Sequence, residues 1–479
     1  MTRILNLING QLLPASGDQW LTSINPATGQ AHAELPDSDA ADMQQAVAAA
    51  VAAAPAWRQL DPETRADWLF RLADALEARQ DTLARAECDD NGKPLWLAAS
   101  VDIPRAVQNF RFFAAGLLHR SSTAHLRPGF LNVTLQQPLG VGGCISPWNL
   151  PLYLLSWKIA PALAAGNTVV AKPSEITPLT AFLLSSIAQE IELPAGVLNL
   201  VHGTGPRVGE ALCAHPDVKG ISFTGSTATG AAIARVAAPQ FKKLSLEMGG
   251  KNAAIIFADC DYERMLAEVL RSSFSNQGQI CLCTSRLLIE RSLYERLRAD
   301  LVAGVQALRV GDPLEASTQQ GAVVSAAHQQ KILSCLATAR AEGARVLCGG
   351  ATVSLSGRCA DGYFVAPTVL EGLGPQSQTN QTEIFGPVIT LQPFESEAEA
   401  LQLANASPYG LACSIWTQNL PQAQRLSQQV EAGLIWFNSW MKRDLRTPFG
   451  GIKQSGLGHE GGWQAFEFWS ETRNVCWAD

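Results

Sequence analysis

The run Phe274-Ser-Asn-Gln-Gly-Gln-Ile-Cys281 ends on a thiol, and Glu247-Met-Gly-Gly-Lys251 presents an acid beside a glycine pair 34 residues earlier. Thiol and carboxylate together suit covalent chemistry at a carbonyl, in which a thiolate adds to carbon and a general base later activates water. Ser146-Pro147-Trp148-Asn149 adds a side-chain amide able to hold a developing oxyanion. Free cysteine is commonly a small buried hydrophobe, and the other ten of the eleven cysteines are expected to be that, Cys283 most clearly. Taken singly, Asn149 could be a turn residue after Pro147 and Glu247 an exposed acid at a strand end; their joint presence with Cys281 favours the chemistry. A cysteine hydrolase would want a histidine partner, and none of the seven histidines stands in a recognisable motif.

These residues need rigid elements to hold them. From residue 140 short apolar runs alternate with helical stretches: Val141–Ile145, Thr168–Ala171, Val197–Val201 and Gly220–Thr224. That alternation predicts parallel strands joined by crossover helices, an α/β fold. A second strand-rich stretch starts at Asn252–Phe257 and continues past Cys281 with Ser285–Ile289, which predicts a domain boundary near residue 250. Upstream, Asp61-Pro62-Glu63 combines an N-cap, a first-turn proline and an early acid, opening an amphipathic helix through Leu69, Leu72, Leu76 and Leu83. Ala40 to Ala54 is also helical in composition.

The 479 residues exceed one core and suffice for two or three domains. At 47% apolar and 16% charged the chain suits large buried sheets and an oligomer interface. A formal charge of −7 without a basic run gives nucleic acid no electrostatic footprint. No stretch has the length or character of a signal peptide or membrane span; the longest apolar run, Leu150 to Ala165, is interrupted by Lys158 and two prolines. A soluble, cytoplasmic protein without membrane partner is expected. An odd number of cysteines without framework spacing predicts reduced thiols, and the absence of Cys-x-x-Cys or histidine clusters predicts no metal.

Gly203-Thr-Gly205-Pro206 and Gly225–Gly230 would each bring backbone amides to a helix start, although neither matches a dinucleotide fingerprint or a P-loop. Alone, each is best read as a shaped turn. Ala171-Lys172-Pro-Ser174-Glu175 adds an acid at a strand's carboxyl end, where it can accept both ribose hydroxyls and would repel a 2′-phosphate.

The cysteine, glutamate and Pro-Trp-Asn segments together resemble the aldehyde dehydrogenase superfamily from about Asn25-Pro-Ala-Thr-Gly29 to about Glu471. That resemblance implies a Rossmann-like NAD-binding domain (residues 1–119 and 138–249), a catalytic domain carrying the nucleophile (250–462), and bridging segments (120–137 and 463–479) that join a homodimer or homotetramer. It implies NAD as cofactor, with Lys172 and Glu175 on the adenosine ribose and Ser174 beside them. Phe223, Thr224, Gly225 and Ser226 would flank the pyrophosphate. Gly205, Gly209, Ile145, Pro147, Trp148, Met248 and Gly249 fall at further cofactor positions. In Glu383-Ile-Phe385-Gly-Pro387 the acid would hold the nicotinamide ribose and the phenylalanine would flank the ring, although Glu383 read alone is equally a structural ion-pair residue. Cys281 would attack an aldehyde, and Asn149 with the Cys281 N–H would hold the oxyanion. Hydride would pass to the nicotinamide, and Glu247 would activate the water that hydrolyses the thioester.

Two arginines carry a substrate expectation. The contexts of Arg105 and Arg443 resemble the branch that oxidises 2-aminomuconic and 2-hydroxymuconic semialdehydes, where the matching positions bind a distal carboxylate. A guanidinium fork suits that partner. The runs Leu150–Lys158 and Cys281–Ser285 lean toward the 2-amino compound, and so toward tryptophan or aminophenol breakdown. The resemblance leaves open the 2-hydroxy compound or simple aldehydes of a broad-specificity enzyme; a binding protein without turnover is disfavoured, since all three chemical residues are present. Arg111 and Arg446 are read as surface cations. His459, Met248 and Lys442 depart from the usual pattern: the first two would alter packing or a surface contact, and Lys442 either adds charge near the tunnel or faces solvent.

Overall fold

Strands buried on both faces read as unbroken apolar runs rather than alternating ones, and Val141–Ile145 and Thr168–Lys172 are buried along their whole length. In the computed structural model, which describes residues 1–478, they are neighbours at the centre of an eight-stranded sheet. Its order is Gly456–Leu457, Lys243–Glu247, Val218–Thr224, Val141–Ile145, Thr168–Lys172, Leu198–Leu200, Asn6–Ile8 and Gln11–Leu13. The five middle strands are parallel, and the outer pairings are antiparallel. Register aligns their carboxyl ends: Thr224 faces Glu247, Phe223 faces Ile145, and Ile145 faces Lys172. Expected ribose, pyrophosphate and base residues are thereby gathered along one sheet edge, where open α/β sheets bind ligands.

A second, seven-stranded sheet is built around Asn252–Ile256, which pairs in parallel with Thr284–Glu290 on one side and Ala412–Trp416 on the other. The strand Gly456–Leu457 returns to pair with Lys243–Glu247 at the edge of the first sheet. Ala124–Arg127, Phe130–Pro138 and Ser470–Ala478, which cover most of the segments expected to bridge subunits and run one residue past 137, form a three-stranded antiparallel sheet. Asp479, the last residue of the expected bridging segment, lies outside the described residues.

Asp61 caps the helix Pro62–Glu77 by accepting the Thr64 N–H at 2.7 Å. The amphipathic run is shorter than its apolar spacing predicts: the chain breaks at Ala78–Arg79, and Leu83 is buried from the next helix, Gln80–Asn91. The alanine-rich segment forms Ala40–Gln59. Leu150 to Ala165 yields the helix Pro151–Ala164, every residue of which is buried, Lys158 included. No helix among the described residues is long and apolar enough to cross a membrane. The expectation that ten cysteines are buried needs correction. Cys88, Cys144, Cys213, Cys283, Cys359 and Cys413 are, whereas Cys260, Cys335 and Cys348 are half-buried and Cys476, on an outer strand, is exposed. Composition cannot tell a core strand from an edge.

Candidate active site

The loop before Cys281 is held in a sparsely populated backbone conformation. Asn276, Gln277 and Gly278 have successive φ values of 51°, 56° and 69°. Left-handed backbone at a non-glycine residue costs on the order of 1–3 kcal/mol and persists only where surroundings enforce it. Here the motif's own amides do so. Asn276 Nδ2 donates to the Asn149 carbonyl at 3.0 Å, Gln277 Nε2 to the Ala322 carbonyl at 2.7 Å, and Gln279 Oε1 accepts the Val324 N–H at 3.1 Å. Gly278 is sterically required, since a Cβ there would lie 2.2 Å from the Gly386 carbonyl oxygen. Beyond the loop, Asn252 Nδ2 donates to the carbonyls of Cys281 and Cys283, at 2.7 and 2.9 Å. The backbone carrying the thiol is thus tied to the strand Asn252–Ile256 of the second sheet.

Asn149 joins the same loop by donating from Nδ2 to the Gln279 carbonyl at 2.9 Å. A primary amide has two N–H groups, so one remains for another acceptor. Cys281 lines a small cavity of about 20 Å³ together with Glu383 and Phe385. Burial pushes its thiol above the ordinary range, reinforced by the Glu383 and Glu247 carboxylates and opposed by Arg443. Thiolate formation therefore needs added positive charge or amide donors.

Glu247 ends the strand Lys243–Glu247, and both carboxylate oxygens are buried without hydrogen-bond partners. Burial, then the Glu460 carboxylate, raises its pKa well above the usual carboxylate range; Lys158 opposes this. A carboxyl with so raised a pKa holds a proton more strongly than an ordinary carboxylate, a property that suits a general base once it is ionised. Glu460 Oε1 accepts from Lys158 Nζ at 2.7 Å and from the Ser222 hydroxyl at 2.6 Å. Neither Lys158 nor Glu460 is assigned a site role by the sequence. Lys158 carried a signal, because a lysine inside an apolar helix must find a partner; Glu460 carried none.

Arg105 and Arg443 meet at one cleft of about 310 Å³, with walls that include Leu150, Tyr153, Ile280 and Trp440. The Arg443 guanidinium lies 4.7 Å from the centre of the Trp157 ring and 4.4 Å from that of Phe449. Arg105 lies 5.5 Å from the Tyr153 ring centre. Arg105 Nε and Arg443 Nε and Nη2 are buried with no hydrogen-bond partner. Burial and the like charge of Arg105 lower the Arg443 pKa, yet a guanidinium stays charged. Both residues are half-buried, and neighbouring cations with desolvated, unpaired nitrogens are costly without an anion. A third arginine on the cleft, Arg271, is already paired with Glu268 at 2.7 Å. Arg111, half-buried, is paired with Asp74 and Glu77, and the exposed Arg446 with Asp444, as expected of surface cations.

The expected cofactor residues follow the carboxyl edge of the first sheet. Ile145 and Lys172 end neighbouring strands, Pro147 and Trp148 follow the first, and Ser174 and Glu175 the second. Lys172 Nζ is 2.6 Å from Glu175 Oε2. Ser226 caps the helix Thr227–Ala237, accepting the Thr229 N–H at 3.2 Å, while the Thr224 hydroxyl is buried and unpartnered. Gly225 packs against the Phe223 ring, and Met248 covers Gly230, so that departure is a packing one. Gly205 and Gly209 bound a wide helical turn, and a Cβ on either would meet nothing within 4 Å. Glu383 Oε1 accepts the Gly250 N–H at 2.9 Å, and a Cβ on Gly249 would lie 2.0 Å from its other oxygen. Phe385, at φ 60°, packs edge-on against Trp148 at 5.2 Å. A capped helix start, an unpaired hydroxyl, open glycine backbone and a carboxylate beside the thiol cavity fit a dinucleotide. His459 and Lys442 are exposed.

The chain is similar to known proteins along nearly its whole length. The chain is 47% identical over 476 residues to a 2-aminomuconic semialdehyde dehydrogenase of Danio rerio, covering 98% of this chain and 97% of that one. It is 45% identical over 483 residues to a 2-hydroxymuconic semialdehyde dehydrogenase of Pseudomonas sp. (strain CF600), covering 99% of each. Its structure superposes on an NAD+ complex of an aldehyde dehydrogenase from Bacillus cereus with a TM-score of 0.97 at 36% identity, covering 99% and 96% of the two chains. The sequence model of the aldehyde dehydrogenase family matches residues 13–475, and with cysteine, acid and amide carried on that framework, the chain belongs to the aldehyde dehydrogenase family.

Proposed function

We propose that this enzyme oxidises 2-aminomuconic 6-semialdehyde to 2-aminomuconate with NAD, through a thiohemiacetal and a thioester on Cys281. The observation that carries the substrate assignment is the pair of guanidiniums, Arg105 and Arg443, whose buried nitrogens have no hydrogen-bond partner among the described residues. An aldehyde bearing a carboxylate at its far end supplies the missing anion, and the fork of each guanidinium can bond its oxygens. Several relatives in the 44–47% identity range are named for muconic semialdehydes, which supports the same class.

In the first step the Cys281 thiolate forms a C–S bond to the aldehyde carbon. The free N–H of the Asn149 amide and the Cys281 backbone N–H hold the resulting oxyanion, each such donor contributing about 3–4 kcal/mol to the transition state. When bound, NAD supplies the acceptor for the hydride that leaves this carbon as the C=O bond re-forms. Lys172 and Glu175 would hold its adenosine ribose, the start of the Thr227–Ala237 helix its pyrophosphate, and Glu383 its nicotinamide ribose. Glu247 then removes a proton from water, whose oxygen adds to the thioester; the C–S bond breaks and the acid departs.

Glu247→Gln should therefore acylate but not turn over. One equivalent of NADH per active site is expected as a burst, followed by a steady state slower by about 10²–10⁴-fold. Because the Glu247 pKa is raised, deacylation should gain rate as pH rises through that raised value, since only the ionised form accepts the proton. An unchanged steady-state rate in the variant would remove Glu247 from this role.

The deciding experiment follows NADH absorbance with 2-aminomuconic semialdehyde, 2-hydroxymuconic semialdehyde and an aldehyde without a carboxylate. Highest kcat/KM on the 2-amino compound is the expected result. A preference for the 2-hydroxy compound transfers the assignment to that substrate, and a preference for the uncharged aldehyde makes this a broad-specificity enzyme. We also infer a cytoplasmic homodimer or homotetramer joined through residues 120–137 and 463–479, with NAD bound by 1–119 and 138–249 and the nucleophile carried by 250–462.

A further inference from the structure

The segment Asn91-Gly92-Lys93 links the helix Gln80–Asn91 to Leu95–Leu97 and has no part in the chemistry above. Lys93 is fully buried. Its Nζ donates to Glu87 Oε1 at 3.1 Å, to the Asp102 carboxylate, and to the backbone carbonyl of Asn149 at 3.1 Å. An ammonium has three hydrogens, and these three acceptors use them all. The other Glu87 oxygen accepts the Leu152 N–H at 3.4 Å, and Asn91 Nδ2 donates to the Trp148 carbonyl at 2.9 Å. Asn276 Nδ2, from the cysteine loop, donates to the same Asn149 carbonyl at 3.0 Å. The peptide that carries the Asn149 side chain is thus clamped between a buried charge cluster and the cysteine loop.

Stability is a poor reason for such a cluster, since well-packed apolar residues commonly replace buried ion pairs without loss. Position is a better one. An oxyanion donor must stand where charge develops, and misplacement by about 1 Å can cost on the order of 10²-fold in rate. We propose that Lys93, held by Glu87 and Asp102, is a positioning residue for the oxyanion site: its bond to the Asn149 carbonyl fixes the side-chain amide against the Cys281 loop. Asp102 also lines the cleft shared by Arg105 and Arg443, so the same ammonium ties the oxyanion donor to the cleft wall. The role rests on the reading of Asn149 as that donor.

The test is a double-mutant cycle on aldehyde turnover at saturating NAD. Lys93→Met with Asp102→Asn removes a neutral pair. It leaves Glu87, which burial and Asp102 push up to about 7 against the pull of Lys93, free to take up a proton. In the otherwise native enzyme this pair of changes should lower kcat about 10–100-fold with the KM for NAD unchanged. With Asn149→Ala already present, which alone costs about 10²–10³-fold, the further loss should be less than about twofold. Equal losses on both backgrounds, or no loss on either, overturn the positioning role while leaving Asn149 its own. Full turnover by Asn149→Ala overturns the oxyanion reading and the Lys93 role with it. Where thermal melting shows the paired variant unfolded, Lys93→Arg decides, because it keeps the charge but replaces the compact three-donor ammonium with a longer, planar guanidinium. A kcat lowered about fivefold or more at unchanged NAD KM supports the role, and native kcat overturns it.

Discussion

Cys281→Ala should abolish aldehyde oxidation, with turnover reduced on the order of 10⁵-fold or more, because losing a covalent nucleophile removes the whole pathway rather than one contact. Among the described residues the Cys281 thiol makes no hydrogen bond; the loop is held by Asn252, Asn276, Gln277 and Gln279. Melting temperature should therefore change little while activity disappears. Cys283 is the informative control, since it is two residues away and buried. Its thiol reaches only the Ser275 carbonyl, at 3.6 Å, and burial pushes it up to about 12. Cys283→Ala should keep most of the activity at a stability cost of about 1 kcal/mol for the small void. Stopped-flow NADH traces of both variants decide the matter. A burst that survives Cys281→Ala, or vanishes in Cys283→Ala, would assign the nucleophile elsewhere.

Arg443→Ala is expected to separate substrates rather than reduce activity evenly. Truncating one partner of a buried, hydrogen-bonded charge pair costs about 2–5 kcal/mol. At about 1.4 kcal/mol per decade, kcat/KM on a muconic semialdehyde should fall roughly 30-fold to several-thousand-fold. An aldehyde without a carboxylate should be processed at nearly the native rate. Arg105→Ala should act similarly, and the double variant should lose less than the sum, because both guanidiniums serve one anion. Arg443→Lys should rescue only in part, since an ammonium cannot reproduce the fork. Stability should move the opposite way. Arg443 is a desolvated cation lowered by its neighbour Arg105, so without substrate its removal should leave the melting temperature unchanged or higher, the trade expected of a binding site. Equal losses on charged and uncharged aldehydes would sink the carboxylate assignment.

Much of this arrangement was legible in the chain because it is local. Val141–Ile145 and Thr168–Lys172 announce buried parallel strands by unbroken apolar runs. Asp61 announces a helix start by a cap whose physics involves only the next three residues. The octapeptide before Cys281 is distinctive for a local reason as well: its amides and glycine enforce a backbone that few sequences tolerate. Where local signals compete, the outcome differed, as at Ala78–Arg79, where an amphipathic run divides into two helices.

The sequence by itself determined which elements form and which side chains could act: a thiol, an acid, an amide and two arginines. Tertiary structure alone decided what surrounds them. Asn149 meets the Gln279 carbonyl across 130 positions, and Lys158 meets Glu460 across 302. Glu460 raises the Glu247 pKa only because the chain returns through Gly456–Leu457 to the edge of the first sheet, a short strand with no local signature. Lys93 reaches Asn149 only once two helices and a loop have packed. The physical reason is the same in each case. Helix caps and apolar periodicity depend on neighbours in sequence, whereas pKa, pairing and the worth of a buried charge depend on which distant groups share its low-dielectric surroundings.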